Sequence, residues 1–156
     1  MRTKKTKFLM GLALSFTVTA AFAGVVEDQI RNRQSAYGFL GWNIGKIKAQ
    51  AVDHPDTYNK EQVIAAANAV AAVANSGLLE LYGVGTDKGT GWKPSRLKAE
   101  FFDKQSEIKD IEATFIKEAN ELQEVAQNGD VAAIKTQFGK VGAACKSCHD
   151  VVRVKE

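Results

Sequence analysis

Apolar residues recur at alternating steps of three and four positions along this 156-residue chain, and no stretch shows the convincing period-two alternation of a half-buried strand. A repeat of this kind places the apolar side chains on one face of an α-helix. The pattern therefore predicts an all-α fold, in which each helix buries one stripe against its neighbours.

Four such stretches are separated by signals that end helices. The first carries its apolar stripe from Ile30 to Ala51 and ends before Pro55, because the residue before a proline is pushed out of the helical conformation. The others are predicted from about 60 to 76, 95 to 127 and 131 to 152, with Asp130 as the N-cap of the last. The connections are short except for a glycine-rich link at 78–94. These features predict an antiparallel four-helix bundle.

The first 23 residues differ from the rest of the chain. Four basic residues precede an apolar stretch at 8–22, and the small-x-small pattern of a cleavage site follows at 21–23. This arrangement is typical of a secretory signal peptide, and the apolar stretch is shorter than the ~20 residues of a membrane span. We therefore predict cleavage after Ala23, export of residues 24–156 to the periplasm as one domain, and no membrane insertion of that domain.

Removal of the signal changes the charge of the chain. The signal carries four of the 21 Lys and Arg residues and none of the 18 Asp and Glu residues, so the formal charge moves from +3 to −1. This charge gives no indication of binding to nucleic acid or to an anionic membrane. Met1 and Met10 leave with the signal, so the mature domain has no methionine to offer a metal.

The motif that carries chemistry is Cys145-Lys146-Ser147-Cys148-His149, near the end of the fourth predicted helix. A Cys-x-x-Cys-His run is the attachment signature of c-type haem. Cysteines three positions apart project from nearly the same helix face, so each can form a thioether to one haem vinyl group, with His149 as an axial iron ligand. We predict one covalent haem c inside the bundle, beside the C-terminal helix.

Three other uses of the two cysteines fit less well. A redox dithiol of the thioredoxin type needs a strand before its helix, and this chain offers none. A zinc site needs about four ligands, whereas the motif offers three and His54 is the only other histidine. A structural disulfide is compatible with export but leaves His149 without a role.

The second axial position of the iron has no evident protein ligand. The mature domain lacks methionine, and His54 stands beside Pro55 at the end of the first predicted helix. We therefore expect a five-coordinate iron whose open face is lined by Tyr37 and Leu40 of the first helix. A six-coordinate low-spin electron carrier is the alternative. A peroxidase-like enzyme is a weaker one, since Arg33 and Tyr37 are the only polar candidates on that stripe.

Several segments resemble the cytochromes c′, the high-spin branch of the class II c-type cytochromes, and most closely those of purple sulfur bacteria. The similarity covers essentially residues 25–155 and is carried by the segments 30–37, 74–77, 81–87 and 138–149. It includes the position of the haem motif near the C-terminus, whereas class I c-type cytochromes carry it near the N-terminus. The resemblance supports the four-helix bundle and the bound haem.

The resemblance also implies roles for individual residues. It implies that Arg33 and Gln34 contact the haem propionates. It also implies that Thr86, Asp87 and Thr90 lie at the haem edge, and that Arg153 lies near the proximal histidine. Tyr37 falls where many members carry a leucine. Its phenol either donates a hydrogen bond to a bound ligand or turns away to line an access channel.

The resemblance implies that the protein binds NO and CO at its haem and transfers single electrons, and that it does not catalyse an enzymatic reaction. It also implies a periplasmic homodimer formed through the first two helices. No motif in the chain identifies the redox partner.

Overall fold

The computed structural model describes the backbone from Thr17 to Lys155 and the side chains from Gly24 to Lys155. Its four long helices are numbered in chain order: α1 (Thr17–Lys48), α2 (Lys60–Ala74), α3 (Gln105–Asn128) and α4 (Val131–Val152). Shorter helical segments are Ala49–Asp53, which continues α1 as a π-helix, and the 3₁₀ turns Pro55–Thr57, Leu78–Leu81 and Ala99–Asp103. The predicted signal at 1–23 lies outside the residues with described side chains, so its cleavage stays a prediction.

The helix boundaries follow from local chemistry. Asn59 caps α2 by accepting a hydrogen bond from the Gln62 N–H at 3.0 Å. Asp130 caps α4, because its Oδ1 accepts from the backbone N–H groups of Ala132 and Ala133. Gly129 separates α3 from α4 with φ of 78°, a left-handed conformation that glycine adopts without strain.

The four helices pack in sequence as an antiparallel bundle around one large apolar cluster. Its fully buried members come from every helix and include Ile47, Val63, Leu122, Ile134 and Val141. The part of the chain from 17 to 155 contains no β-strand beyond two isolated bridges, which confirms the all-α prediction. Within that part, no helix combines the length and the apolar character needed to cross a bilayer.

A second, smaller apolar cluster lies at the end of the bundle where α4 finishes. It is built from Leu97, Phe101, Ile108 and Val152. The long connection between α2 and α3 supplies two of these residues, so that connection covers this end of the bundle. Over its whole length α4 packs more closely on α3 than on α1, which leaves α1 and α4 less closely joined than the other neighbouring helices.

The start of α3 differs from the prediction. The helix begins at Gln105 and not near Ser95, because the preceding residues pair with the end of α4. The Lys98 N–H donates to the Val152 carbonyl at 2.8 Å, and the Val154 N–H donates to the Arg96 carbonyl at 2.9 Å. These bonds use the backbone groups that a helix would need for itself. Phe101 is nevertheless buried, in a short 3₁₀ turn.

Candidate haem site

Cys145 and Cys148 lie one helical turn apart on α4, and both are free and half-buried. Cys145 packs against the large cluster and Cys148 against the small one. The two sulfurs therefore stand at the junction of the two clusters. Burial raises the pKa of both thiols, and the neighbouring Cys145 raises that of Cys148 further, so both are neutral near pH 7.

His149 follows Cys148 at the exposed rim of the same helix. Partial burial of its ring lowers its pKa, and the charge of Arg153 lowers it further. Both effects favour the neutral imidazole, which is the form that binds a metal. Arg153 lines the same surface pocket as His149, so the structure brings these two residues together, and the role of Arg153 near a proximal histidine stays a prediction.

A pair of tyrosines connects the two clusters from the other side. The Tyr82 hydroxyl donates to the Tyr37 hydroxyl at 3.1 Å; Tyr37 packs on the large cluster and Tyr82 on the small one. Burial is the main cause that raises the pKa of each phenol above its ordinary value, and both interact electrostatically with Cys148. The pair therefore presents neutral hydroxyl groups toward the motif, while Leu40 on the same stripe is buried.

Arg33 is buried between α1 and the long connection. Its guanidinium lies 4.4 Å from the centre of the Tyr82 ring, a cation–π arrangement. It donates to the Thr86 carbonyl at 3.0 Å, to the Thr86 hydroxyl at 3.2 Å and to the Ser95 hydroxyl at 3.0 Å. Burial lowers the pKa of Arg33, yet a guanidinium stays protonated at neutral pH.

Gln34 holds the next part of the connection. Its side-chain oxygen accepts from the N–H groups of Trp92 and Lys93, and its amide donates to the Lys93 carbonyl at 2.8 Å. The three loop residues predicted at the haem edge differ in how deeply they are buried. Thr86 is fully buried against Arg33, Asp87 is half-buried, and Thr90 is exposed. The roles of these residues at a haem edge stay predictions.

Three residues of this region were missed by the sequence reasoning: Tyr82, Phe101 as its stacking partner, and Glu112. The Tyr82 and Phe101 rings stack with centroids 4.7 Å apart. Glu112 is half-buried, and burial raises its pKa against the effect of a backbone hydrogen bond from Leu79. The sequence did mark Glu112, since it is a charged residue at a position on the buried stripe of α3. Tyr82 lies in the glycine-rich link, where no periodicity marks it.

The donor set fits a haem. Two thiols project from one helix face between apolar clusters, and a histidine follows them. A haem has an apolar macrocycle, two vinyl groups for attachment and an iron that needs an axial ligand, so these residues match it. Arg33 adds to the fit, because its buried positive charge meets carbonyl and hydroxyl oxygens but no carboxylate within residues 24–155. Across the same residues, no group of three or more His, Cys, Asp or Glu side chains could hold a metal ion.

An antiparallel helical bundle whose last helix ends in Cys-x-x-Cys-His defines the class of four-helix c-type haem proteins. A model of the cytochrome c′ family matches residues 28–153. The chain therefore belongs to the cytochrome c′ family, as the resemblance in its sequence indicated.

Individual relatives agree with this assignment. A cytochrome c′ from the purple bacterium Allochromatium vinosum is 50% identical over 145 residues, which cover 92% of each chain. The solved structure of a cytochrome c′ with ligand-controlled dimer dissociation is 52% identical, with a TM-score of 0.78 over 83% of this chain and 97% of the other. The nitric oxide complex of a cytochrome c′ variant from Alcaligenes xylosoxidans is 26% identical, with a TM-score of 0.73 over 84% and 97%.

Proposed function

We propose that this chain is a periplasmic protein that binds one haem c covalently through Cys145 and Cys148, with His149 as an axial ligand. The observation that carries the proposal is the position of the two free cysteines, half-buried on one face of α4 between the two apolar clusters. A haem bound there supplies an iron that takes small gases as ligands and exchanges single electrons. The signal pattern at 1–23 supports the location.

The gases we propose as ligands are NO and CO, bound at a five-coordinate iron. The domain after Ala23 has no methionine, and His54 is exposed beyond the far end of α1. About 16 Å of helix separates Tyr37 from Lys48, a few residues before His54, so this histidine is out of reach of the cysteines. An apolar pocket admits a small neutral gas more readily than an anion. The nitric oxide complex of the Alcaligenes relative supports this choice.

Tyr37 and Leu40 line the open face in this proposal. The hydrogen bond between the Tyr82 and Tyr37 hydroxyls is 3.1 Å long and holds the Tyr37 ring in place. A phenol hydroxyl can accept from one partner and donate to another, so Tyr37 can accept from Tyr82 while it donates to a ligand in the pocket. The resulting role of Tyr37 is to restrict access and to form a hydrogen bond to a bound gas.

The remaining predicted residues keep the roles that the resemblance implies. Arg33 and Gln34 hold the haem propionates, with Arg33 gaining the carboxylate partner that its buried charge lacks. A further set borders the haem edge and the proximal side, and consists of Thr86, Asp87, Thr90 and Arg153. None of these groups needs to act as a catalyst, and we propose a carrier of gas and electrons and not an enzyme.

The assembly we propose is a homodimer formed through α1 and α2. Phe39 and Trp42 are 55% and 66% exposed on the outer side of α1, which is unusual for large apolar groups on one helix face. Gly38 and Gly45 flank them, and a Cβ at either would meet nothing within 4 Å. The ligand-controlled dimer of the relative of known structure supports this assembly.

Carbon monoxide binding tests the gas-binding proposal. The reduced holoprotein should take up one CO per haem, with a shift of the Soret band that saturates as CO is added. A spectrum unchanged by excess CO would contradict an accessible iron.

A further inference from the structure

A positively charged rim surrounds the end of α4. An open pocket of about 460 Å³ lies there, lined by Arg96, His149, Asp150, Arg153, Val154 and Lys155. Lys98 adds a further cation beside Arg153 and Lys155, since its Nζ donates to the Asp150 carbonyl at 2.9 Å. We call the set Lys98, Arg153 and Lys155 the basic rim.

The backbone beneath the basic rim is held by hydrogen bonds. Besides the two bonds that join residues 96–98 to the end of α4, the Arg96 guanidinium donates to the Val154 carbonyl at 2.9 Å. Lys98 covers the last carbonyl groups of α4, where the negative end of the helix dipole attracts a cation. These bonds hold the backbone that carries Lys98 and Arg153 against the end of α4.

The acidic residue within the rim does not cancel its charge. Asp150 is the carboxylate that lines the pocket, and it forms an ion pair with Lys146 on the preceding turn of α4. Since residues 24–156 carry a formal charge of −1, the positive rim is a local feature.

We propose that the basic rim is the docking surface for the acidic face of a one-electron carrier protein. His149 lies in the same pocket and is exposed, so a partner seated on the rim covers the residue that we assign to the iron. Complementary charge accelerates such encounters and is screened by salt. The inference rests on the proposed haem and its electron transfer. In the exchange one electron leaves the partner and is taken up here, with no proton or group moved.

Stopped-flow reduction of the oxidised holoprotein tests the proposal with two donors. The first is a reduced plant-type ferredoxin, an acidic protein whose low potential permits the transfer. The second is the reduced methyl viologen radical, a small cation. We expect the ferredoxin rate to fall several-fold as ionic strength rises from ~10 to ~200 mM, and the viologen rate to stay level or rise.

Two charge reversals at opposite ends of α4 locate the surface. Lys155→Glu should lower the ferredoxin rate at least about threefold at low salt and leave the viologen rate equal or higher. Lys135→Glu makes the same charge change on an exposed residue separated from Val152 by roughly 25 Å of helix. It should leave the ferredoxin rate near that of the unmodified protein.

The other possible results would contradict either the docking surface or the electron transfer. Equal effects of the two reversals, or a ferredoxin rate that does not depend on salt, would refute docking at the rim while leaving the haem proposal intact. Slowing of both donors by phosphate at constant ionic strength would identify a small-anion site in place of a protein surface. A holoprotein that neither donor reduces would refute the proposed electron transfer itself, and the docking surface with it.

Discussion

The hydrogen bond between Tyr82 and Tyr37 can be measured by a double-mutant cycle of Tyr37→Phe, Tyr82→Phe and the double variant. The hydroxyls are 3.1 Å apart and both rings are buried against the clusters around the cysteines. Either single change leaves one buried hydroxyl without this partner, which costs about 1–2 kcal/mol of stability. The double variant removes both groups, so its loss should be close to that of one single variant.

Chemical denaturation of the holoproteins gives the free energies of unfolding for the cycle. We expect a coupling energy of about 1 kcal/mol between the two hydroxyls. The rings remain in every variant, so their stacking and packing act as an internal control. Losses that simply add would show that the hydroxyls do not interact in the holoprotein.

The same variants report on access to the iron when CO association is followed by stopped flow. Tyr37→Ala removes the ring and should speed association, at a stability cost of about 3 kcal/mol. Tyr82→Phe frees the Tyr37 phenol and should speed association less. If Tyr37→Ala lowers stability but leaves the CO rate unchanged, Tyr37 only fills the core and the proposed control of access is wrong.

Three further predictions address attachment, loop packing and assembly. The holoprotein should keep its colour after acid–acetone extraction, and replacing Cys145 and Cys148 by Ser should abolish this; a colourless unmodified polypeptide would contradict thioether attachment. Gly91→Ala should destabilise the protein by about 1–2 kcal/mol, since the added Cβ would lie 2.8 Å from the backbone nitrogen of Arg31. Gly139→Ala, whose Cβ meets nothing within 4 Å, should stabilise α4 by about 0.5–1 kcal/mol, and the opposite order in thermal melts would refute this. Trp42→Glu should convert the dimer to monomer in sedimentation, and an unchanged dimer would place the interface elsewhere.

The helices were predictable because each buries one continuous stripe. On α1 the stripe passes from Ile30 through Arg33, Tyr37, Leu40 and Ile44 to Ile47 at steps of three and four, and these residues are buried or half-buried as expected. The motif on α4 was equally clear, since its spacing is set by one helical turn. Local periodicity was therefore sufficient to predict most of the fold and the place of the candidate haem motif on α4.

The position of the long connection between α2 and α3, which covers the candidate site, was not predictable from local periodicity. Residues 96–98 pair with the end of α4 more than 50 positions away, and no local pattern encodes such a partner. Tyr82 reaches Tyr37 only because Arg33 and Gln34 hold the long connection against α1. Glu112 was accessible in principle, as a charged residue at a stripe position, because such a group is costly to bury without a function or a partner.

The central claim is an iron held by His149 with its other face open, and the absorption spectrum of the reduced protein at neutral pH tests it most directly. The absence of methionine after Ala23 and the distance of His54 from the cysteines predict a high-spin, five-coordinate ferrous spectrum. A low-spin six-coordinate spectrum in the unmodified protein would show that a second protein ligand occupies the iron, and would contradict the claim.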